Sequence, residues 1–329
     1  MSDAPGCGRS ADRCVLAIDK LSVSAGPLAI TADVSLSIAA GEMVGLVGES
    51  GCGKSVTAQS IMRLLPEPQI RIAAGRIMFG GSDLTRASAR EMRAIRGRGI
   101  GMIFQEPMSS LNPVFTCGDQ IAEPLVIHQN LGHAAARRRA IELLELVGIT
   151  EPDRAVDRYP HQLSGGQRQR VMIAAAIACG PQLLIADEPT TALDVTVQAQ
   201  VLGLINRLRS ELRLACLLIT HDLSVVAEFC DRVYVMYAGR IVEQGPVRSL
   251  FASPRHRYTR ALLDTIPARN PPGARLPAIP GMVPGPGARG DGCAFADRCS
   301  APLTRCGTDL PKLTAAGEAR DVACWNPVP

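Results

Sequence analysis

Three stretches of this chain carry residue types whose spacing implies chemistry on phosphate, and a fourth implies metal ligation. Gly48-Glu49-Ser50-Gly51-Cys52-Gly53-Lys54-Ser55 fits the pattern G-x-x-x-x-G-K-[ST]. Its glycines let backbone N–H groups converge on phosphate oxygens, Lys54 reaches the β and γ phosphates, and the Ser55 hydroxyl is a ligand for Mg²⁺. A merely structural glycine turn is the alternative, disfavoured by the strand before the loop and the helix after it. Asp187 and Glu188 close an apolar run, at the strand edge where open α/β sheets hold ligands. Asp187 can hold Mg²⁺ through water, and Glu188 can orient and deprotonate an attacking water. Alone this string is weak, because acidic residues commonly end strands at solvent; beside the phosphate loop it is strong. Leu163-Ser164-Gly165-Gly166-Gln167 opens a helix and offers a second small-residue anion nest. Cys293, Cys299, Cys306 and Cys324 follow C-x5-C-x6-C-x17-C in a loop-rich tail. Thiolate-only ligation suits iron–sulfur or zinc; the close C-x2-C pairs of structural zinc are missing, and plain buried cysteines are the alternative.

These residues need elements to position them. Residues 43–47 are apolar on both faces, as in a strand buried in a parallel sheet, and a helix over 55–65 follows the loop until Pro66. A second buried strand, 183–186, follows an apolar helix over 168–179 and the Gly180-Pro181 break; a third, 216–220, follows a helix over 196–213. Strands alternating with helices imply an α/β fold with a mainly parallel sheet. Residues 14–48 read as short alternating strands, and 105–163 as mostly helical, notably 134–147. Arg137, Arg138 and Arg139 read as a solvated helix face rather than a nucleic-acid patch, since no aromatic or further basic cluster accompanies them. Over 267–287, 11 of 21 residues are Pro or Gly. The nucleotide domain is therefore expected to span 1–265, with a helical part about 106–165, and residues 266–329 to be a Pro/Gly-rich and Cys-rich extension.

Composition excludes other classes. With 329 residues, 47% hydrophobic and 20% charged, the chain can bury a sizeable core without disulfide help. Its longest apolar stretch, near 171–186, is interrupted by Gly180, Pro181 and Gln182, so no segment reads as spanning a bilayer. Residues 1–20 show no secretory pattern, which makes the cytosol the default compartment and reduced thiols or metal ligands the expected state of the 11 cysteines. A net charge of +4 and 6 Phe, 4 Tyr and 1 Trp leave little for coating or stacking on nucleic acid.

Taken together, the motifs resemble the nucleotide-binding subunit of an ATP-binding cassette (ABC) transporter, whose signature is Leu-Ser-Gly-Gly-Gln; the likeness covers 14–250 in the right order. It implies an α/β P-loop NTPase fold, an ABC ATPase with an N-terminal antiparallel β subdomain and a helical subdomain. It implies ATP and Mg²⁺, with Gly48 through Ser55 and Val56 on the nucleotide. Gln105 matches the Mg²⁺-ligating, water-sensing glutamine, His221 the histidine on the γ-phosphate, and Ala192-Leu193-Asp194 a dimer-contacting loop. Ser164, Gly165, Gly166 and Gln167 would cap the nucleotide of a partner chain. The family's base-stacking aromatic is missing: Ala25 stands there, a loss of ~1–3 kcal/mol by analogy with base stacking.

Residues 105–113 and 258–267 are similar to the dipeptide, oligopeptide and nickel importer branch, departing at Arg257 where that branch usually has proline. The resemblance implies a second ATPase subunit, often non-identical, two membrane permeases and an extracytoplasmic binding protein, with the chain peripheral at the cytoplasmic face of the inner membrane. It also implies a four-iron four-sulfur cluster on Cys293, Cys299, Cys306 and Cys324, zinc being the alternative. The permease-facing surface is expected within 106–125. A soluble ABC ATPase acting on nucleic acid is the competing class; such proteins insert coiled coils or carry two cassettes, and this chain has neither. A non-ABC P-loop kinase leaves the signature unexplained.

Overall fold

The computed structural model describes residues 14–329 apart from Ala192, Pro272, Ala274 and Glu318, and the side chains of Pro107 and Met108 are also left aside. Two compact units are formed, one by residues up to Arg86 and from Ile219 on, the other by Ala87–Leu218.

In the first unit, strands Cys14–Ala25 and Leu28–Ala39 form an antiparallel hairpin closed by Gly26-Pro27, and Ile70–Phe79 pairs with the outer side of the first strand. The short strands read from 14–48 are thus two strands of 12 residues each. Asp19, Lys20, Ser22, Asp33 and Ser35 on the wetter face hide the length from a count of apolar positions, while Leu16, Ile18, Leu21, Val34, Leu36 and Ile38 bury the other face. Met43–Val47 is buried at every residue and runs parallel to Arg232–Tyr237, which pairs antiparallel with Arg240–Pro246. The end of the chain joins this sheet, since Glu243 and Gln244 pair with Val322 and Asp321. The first helix, Lys54–Met62, stops earlier than Pro66 requires: Arg63 takes the left-handed conformation at φ 51° and its guanidinium bonds the carbonyls of Leu84 and Thr85.

In the second unit, Ile100–Ile103 and Leu183–Asp187 pair in parallel, and helices Cys117–Gln129, His133–Leu146, Gly165–Ile177 and Val195–Leu212 bury Ile121, Leu125, Leu143, Leu144, Val171, Ile173 and Leu208. Gly101 is required by packing, because a Cβ there would sit 2.2 Å from the carbonyl oxygen of Ala176. Arg137 and Arg139 pair with Asp157 and Glu142 on an exposed face, as a solvated helix surface should. The helix expected at 168–179 begins at Gly165, because Ser164 and Gln167 form a capping box that starts it. All ten described cysteines are free thiols. Burial pushes Cys117 up to about 11 and Cys216 up to about 12, so both stay protonated and pack as small apolar groups.

Candidate active site

The phosphate loop is shaped before any ligand arrives. A Cβ on Gly48 would lie 2.2 Å from the carbonyl oxygen of Met236, so only glycine lets the chain turn there. Gly53 caps the following helix at φ 106°, a conformation that side chains resist, and a Cβ there would meet a Thr31 methyl at 2.8 Å. Lys54 is only 4% exposed, and its ammonium donates to the carbonyls of Gly48 at 2.8 Å and Glu49 at 3.1 Å. Those are neutral acceptors, which charged phosphate oxygens outcompete. Burial raises the Cys52 thiol, with Lys54 opposing the shift, so a neutral thiol lies under the lysine. Gly48, Glu49 and Ser50 line a cavity of about 250 Å³ with His221, Leu223 and Leu262. His221 is therefore brought to the loop. Its neighbour Asp222 caps the following helix, its carboxylate accepting from the Ser224 N–H at 2.8 Å.

Two residues outside the loop grip its Glu49, and the sequence reading missed both. The Glu49 N–H donates to the Tyr258 hydroxyl at 2.9 Å. The Glu49 carboxylate accepts from both terminal nitrogens of Arg298, at 2.7 and 2.9 Å. Tyr237, Tyr258 and Phe295 pack their rings together beside these bonds, with centroids 4.5 to 5.3 Å apart. Arg289, also in the extension, donates to the carbonyls of Ala29 and Ile30 on the hairpin. The signal was present in Cys293-Ala-Phe295-Ala-Asp-Arg298-Cys299, read for its thiols; the residues between them are what reach the loop. Arg257, where the importer branch has proline, donates to the carbonyl of Asn326, a bond proline has no side chain to make.

In the second unit, Asp187 ends its strand 4% exposed. Glu188 follows at φ 45°, a strained backbone for a side-chain-bearing residue. Its carboxylate accepts from Gln105 Nε2 at 3.3 Å and from the Thr191 hydroxyl at 3.1 Å. The candidate base and the candidate sensing glutamine are thereby joined. Gln169, 1% exposed, donates to the Pro189 carbonyl at 2.6 Å and fixes the turn after them. Ser164 accepts from the Gln167 N–H at 3.3 Å while its own N–H donates to Gln167 Oε1 at 3.0 Å. Gly165 and Gly166 occupy the first helical turn, with Leu193 and Val197 beside them. Asp194 caps the next helix through the Val197 N–H; Ala192 lies outside the described residues.

Oxygen donors for a hard cation are present: the Ser55 hydroxyl at a helix start, the Asp187 carboxylate and the Gln105 amide. The cysteine expectation needs correction as to geometry. Burial pushes Cys293 up to about 11, and the charges of Cys306, Cys324 and Cys299 push the same way, so the four sulfurs share one neighbourhood. Among the described residues, however, no three or more His, Cys, Asp or Glu side chains form a group able to hold a metal ion. Ligation needs thiolates, and desolvation holds Cys293 and Cys324 toward the thiol form.

Residues 31–191 match the ABC transporter family, and residues 242–306 match the oligopeptide/dipeptide transporter C-terminal region. The dipeptide transport ATP-binding protein DppD of Escherichia coli is 48% identical over 318 residues, covering 95% of this chain and 97% of that one. Its Bacillus subtilis counterpart is 46% identical over 315 residues, 94% of each. Among solved structures, cbiO1 of Clostridium perfringens, part of an ABC transporter complex, superposes with a TM-score of 0.64 at 27% identity over 73% of this chain and 92% of its own. An ATP-binding cassette dimer in a post-hydrolysis state with ADP and Pi gives 0.63 at 28% identity over 71% of this chain and 99% of its own.

Proposed function

The chain belongs to the ABC transporter family of ATP-binding subunits, and from that premise we propose that it is the ATP-hydrolysing subunit of an importer of di- and oligopeptides. Import of nickel or another small solute is the second reading, kept because the substrate is chosen by other chains. No helix among the described residues is long and apolar enough to cross a membrane, so translocation is the work of partner permeases. The segment 106–125 is the proposed docking surface for them, and Val114 and Phe115, 71% and 53% exposed, support it. A second ATPase subunit, identical or not, and an extracytoplasmic binding protein complete the assembly, at the cytoplasmic face of the inner membrane. Residues 1–265 act as the nucleotide domain, with 106–165 its helical part and 266–329 its extension.

The observation that carries the catalytic assignment is the bonding of Glu188 to Gln105 and Thr191. Glu188 takes a proton from water as the water oxygen attacks the γ-phosphorus. The bond to the β-phosphate oxygen breaks, ADP leaves, and the proton returns to the released phosphate. Lys54 and the loop N–H groups hold the β and γ oxygens, His221 the γ-phosphate, and Ser55, Gln105 and, through water, Asp187 are the proposed Mg²⁺ ligands. Bound there, a divalent cation would neutralise charge that develops on the phosphates. Ser164, Gly165, Gly166 and Gln167 cap the nucleotide of the partner chain. A four-iron four-sulfur cluster or zinc on Cys293, Cys299, Cys306 and Cys324 remains part of the proposal, supported by their shared neighbourhood, with deprotonation and convergence of the sulfurs as its requirement.

Glu188→Gln tests the reading. Phosphate release by the assembled transporter is expected to fall about 100-fold or more, the usual worth of a general base, with ATP binding retained. Near-wild-type release would overturn the assignment.

A further inference from the structure

The extension reaches the phosphate loop through one side chain. Arg298, its side chain 6% exposed, holds the Glu49 carboxylate by a two-pronged pair, donates to the Tyr237 hydroxyl at 3.1 Å and, from Nε, to the carbonyl of Pro280 at 2.7 Å. Its guanidinium also lies over the rings of Tyr237 and Phe295, 5.7 and 6.0 Å from their centroids. An arginine fixed by this many partners, on a segment flanked by Cys293 and Cys299, meets the loop at one acceptor, the Glu49 carboxylate. That acceptor is the only acidic residue between Gly48 and Ser55.

A carboxylate in a loop that must receive a triphosphate is unfavourable twice over. It repels the phosphates, and left free it would compete with them for Lys54, whose ammonium bonds the same residue's backbone carbonyl. A fork that takes both carboxylate oxygens removes both problems and fixes where the side chain points. The Tyr258 hydroxyl fixes the same residue's N–H, so Glu49 is held at backbone and side chain by parts of the chain more than 200 positions away.

We propose that Arg298 is a positioning residue of the nucleotide site: it neutralises Glu49 and turns its carboxylate away from the incoming ATP, so that the cysteine-rich extension is a working part of the phosphate loop. The inference rests on the nucleotide reading of that loop.

The test is titration of the purified full chain with ATP and Mg²⁺ in a double-mutant cycle. Arg298→Gln is expected to weaken ATP binding about tenfold, the scale of one charged interaction uncovered near a phosphate. In a Glu49→Gln background the same substitution is expected to cost less than about twofold, because no charge is left to neutralise. Arg298→Lys, a point charge without the fork, falls between. In the assembled ATPase the KM for ATP rises while kcat is kept, as for lost ground-state binding. An unchanged affinity in Arg298→Gln, or an equal loss in both backgrounds, overturns the proposal and leaves Arg298 a strut for the extension. If Arg298→Gln does not fold, Arg298→Lys in the two backgrounds is read by the same criteria. Failure of the nucleotide reading has its own signature: a wild-type chain that binds ATP no better than Lys54→Ala.

Discussion

The phosphate loop is gripped from outside itself, by Tyr258 and Arg298 on Glu49 and by the Met236 carbonyl against Gly48, whereas the nest at Ser164 is tied off by its own helix through Gln167. Lys54 is 4% exposed; Ser164 stands at the surface. A loop held by distant parts of its own chain keeps its shape with or without ligand, so it suits the primary binding of nucleotide. A nest closed by its own capping box occupies the N–H groups of Ser164 and Gln167 and leaves those of Gly165 and Gly166, which suits phosphate arriving on another chain. The largest effect expected from that contrast separates the two. Lys54→Ala removes charge-assisted bonds worth about 1.5–3 kcal/mol each and lowers ATP affinity of the isolated subunit about 100-fold or more. Ser164→Arg leaves that affinity unchanged and stops hydrolysis only in the assembly. Calorimetric titration of the two isolated variants reads the difference, and equal losses would break the contrast.

A smaller effect tests the outside grip through pH. His256 is buried, its Nδ1 accepts from the Tyr258 N–H at 3.0 Å, and its backbone N–H donates to Glu243, which Arg320 pairs. Burial pulls its imidazole down to about 4. Between there and the ordinary value near 6.5 the unfolded chain binds a proton that the folded chain refuses, so this group costs no stability above pH 6.5 and progressively more as pH falls below it. From pH 7 to 5 the expected cost is about 2 kcal/mol at about 1.4 kcal/mol per unit. His256→Asn, which keeps an acceptor for Tyr258, is expected to flatten that slope in denaturant melts at the two pH values. An unaltered slope assigns the acid sensitivity elsewhere.

Much of this was legible from residue types. The strand at 43–47, the loop after it and Asp187-Glu188 at a strand end are fixed by local pattern, since apolar runs, glycines and a Lys-Ser ending admit few conformations. The joining of Gln105 to Glu188 was implied by family likeness alone, because nothing local ties residues 83 positions apart. Arg298 and Tyr258 were not legible. Each acts through a tertiary contact with Glu49, and neither an arginine between cysteines nor a tyrosine opening a short helix declares its target. The four cysteines are half legible for a related reason: spacing reports that thiols can meet, while packing and deprotonation decide whether they form a ligand set. Helix ends were misread by a few residues where the cap lies in a motif valued for something else, as at Ser164 and Gln167.

The smallest expected effect sharpens the contrast furthest. Gly166 lies in the first turn of its helix, and a Cβ there would meet only the Cγ1 methyl of Val197 at 2.9 Å, the far end of a side chain. Alanine is the better helix former by about 0.5–1 kcal/mol in a helix interior and by less in a first turn, while the Val197 methyl must shift to relieve a contact closer than Cβ atoms tolerate. The two terms oppose, so Gly166→Ala is expected to change the stability of the isolated chain by less than about 0.5 kcal/mol, within the range of neutral surface changes. Folding therefore gives little reason for glycine there. If the reason is close approach of a partner's nucleotide, the same substitution lowers the ATPase rate of the assembly while melting temperature and ATP affinity of the isolated chain stay put. A stability loss of about 2 kcal/mol or more would show instead that this glycine serves packing against Val197, and the nest would then be held by its neighbours much as the phosphate loop is.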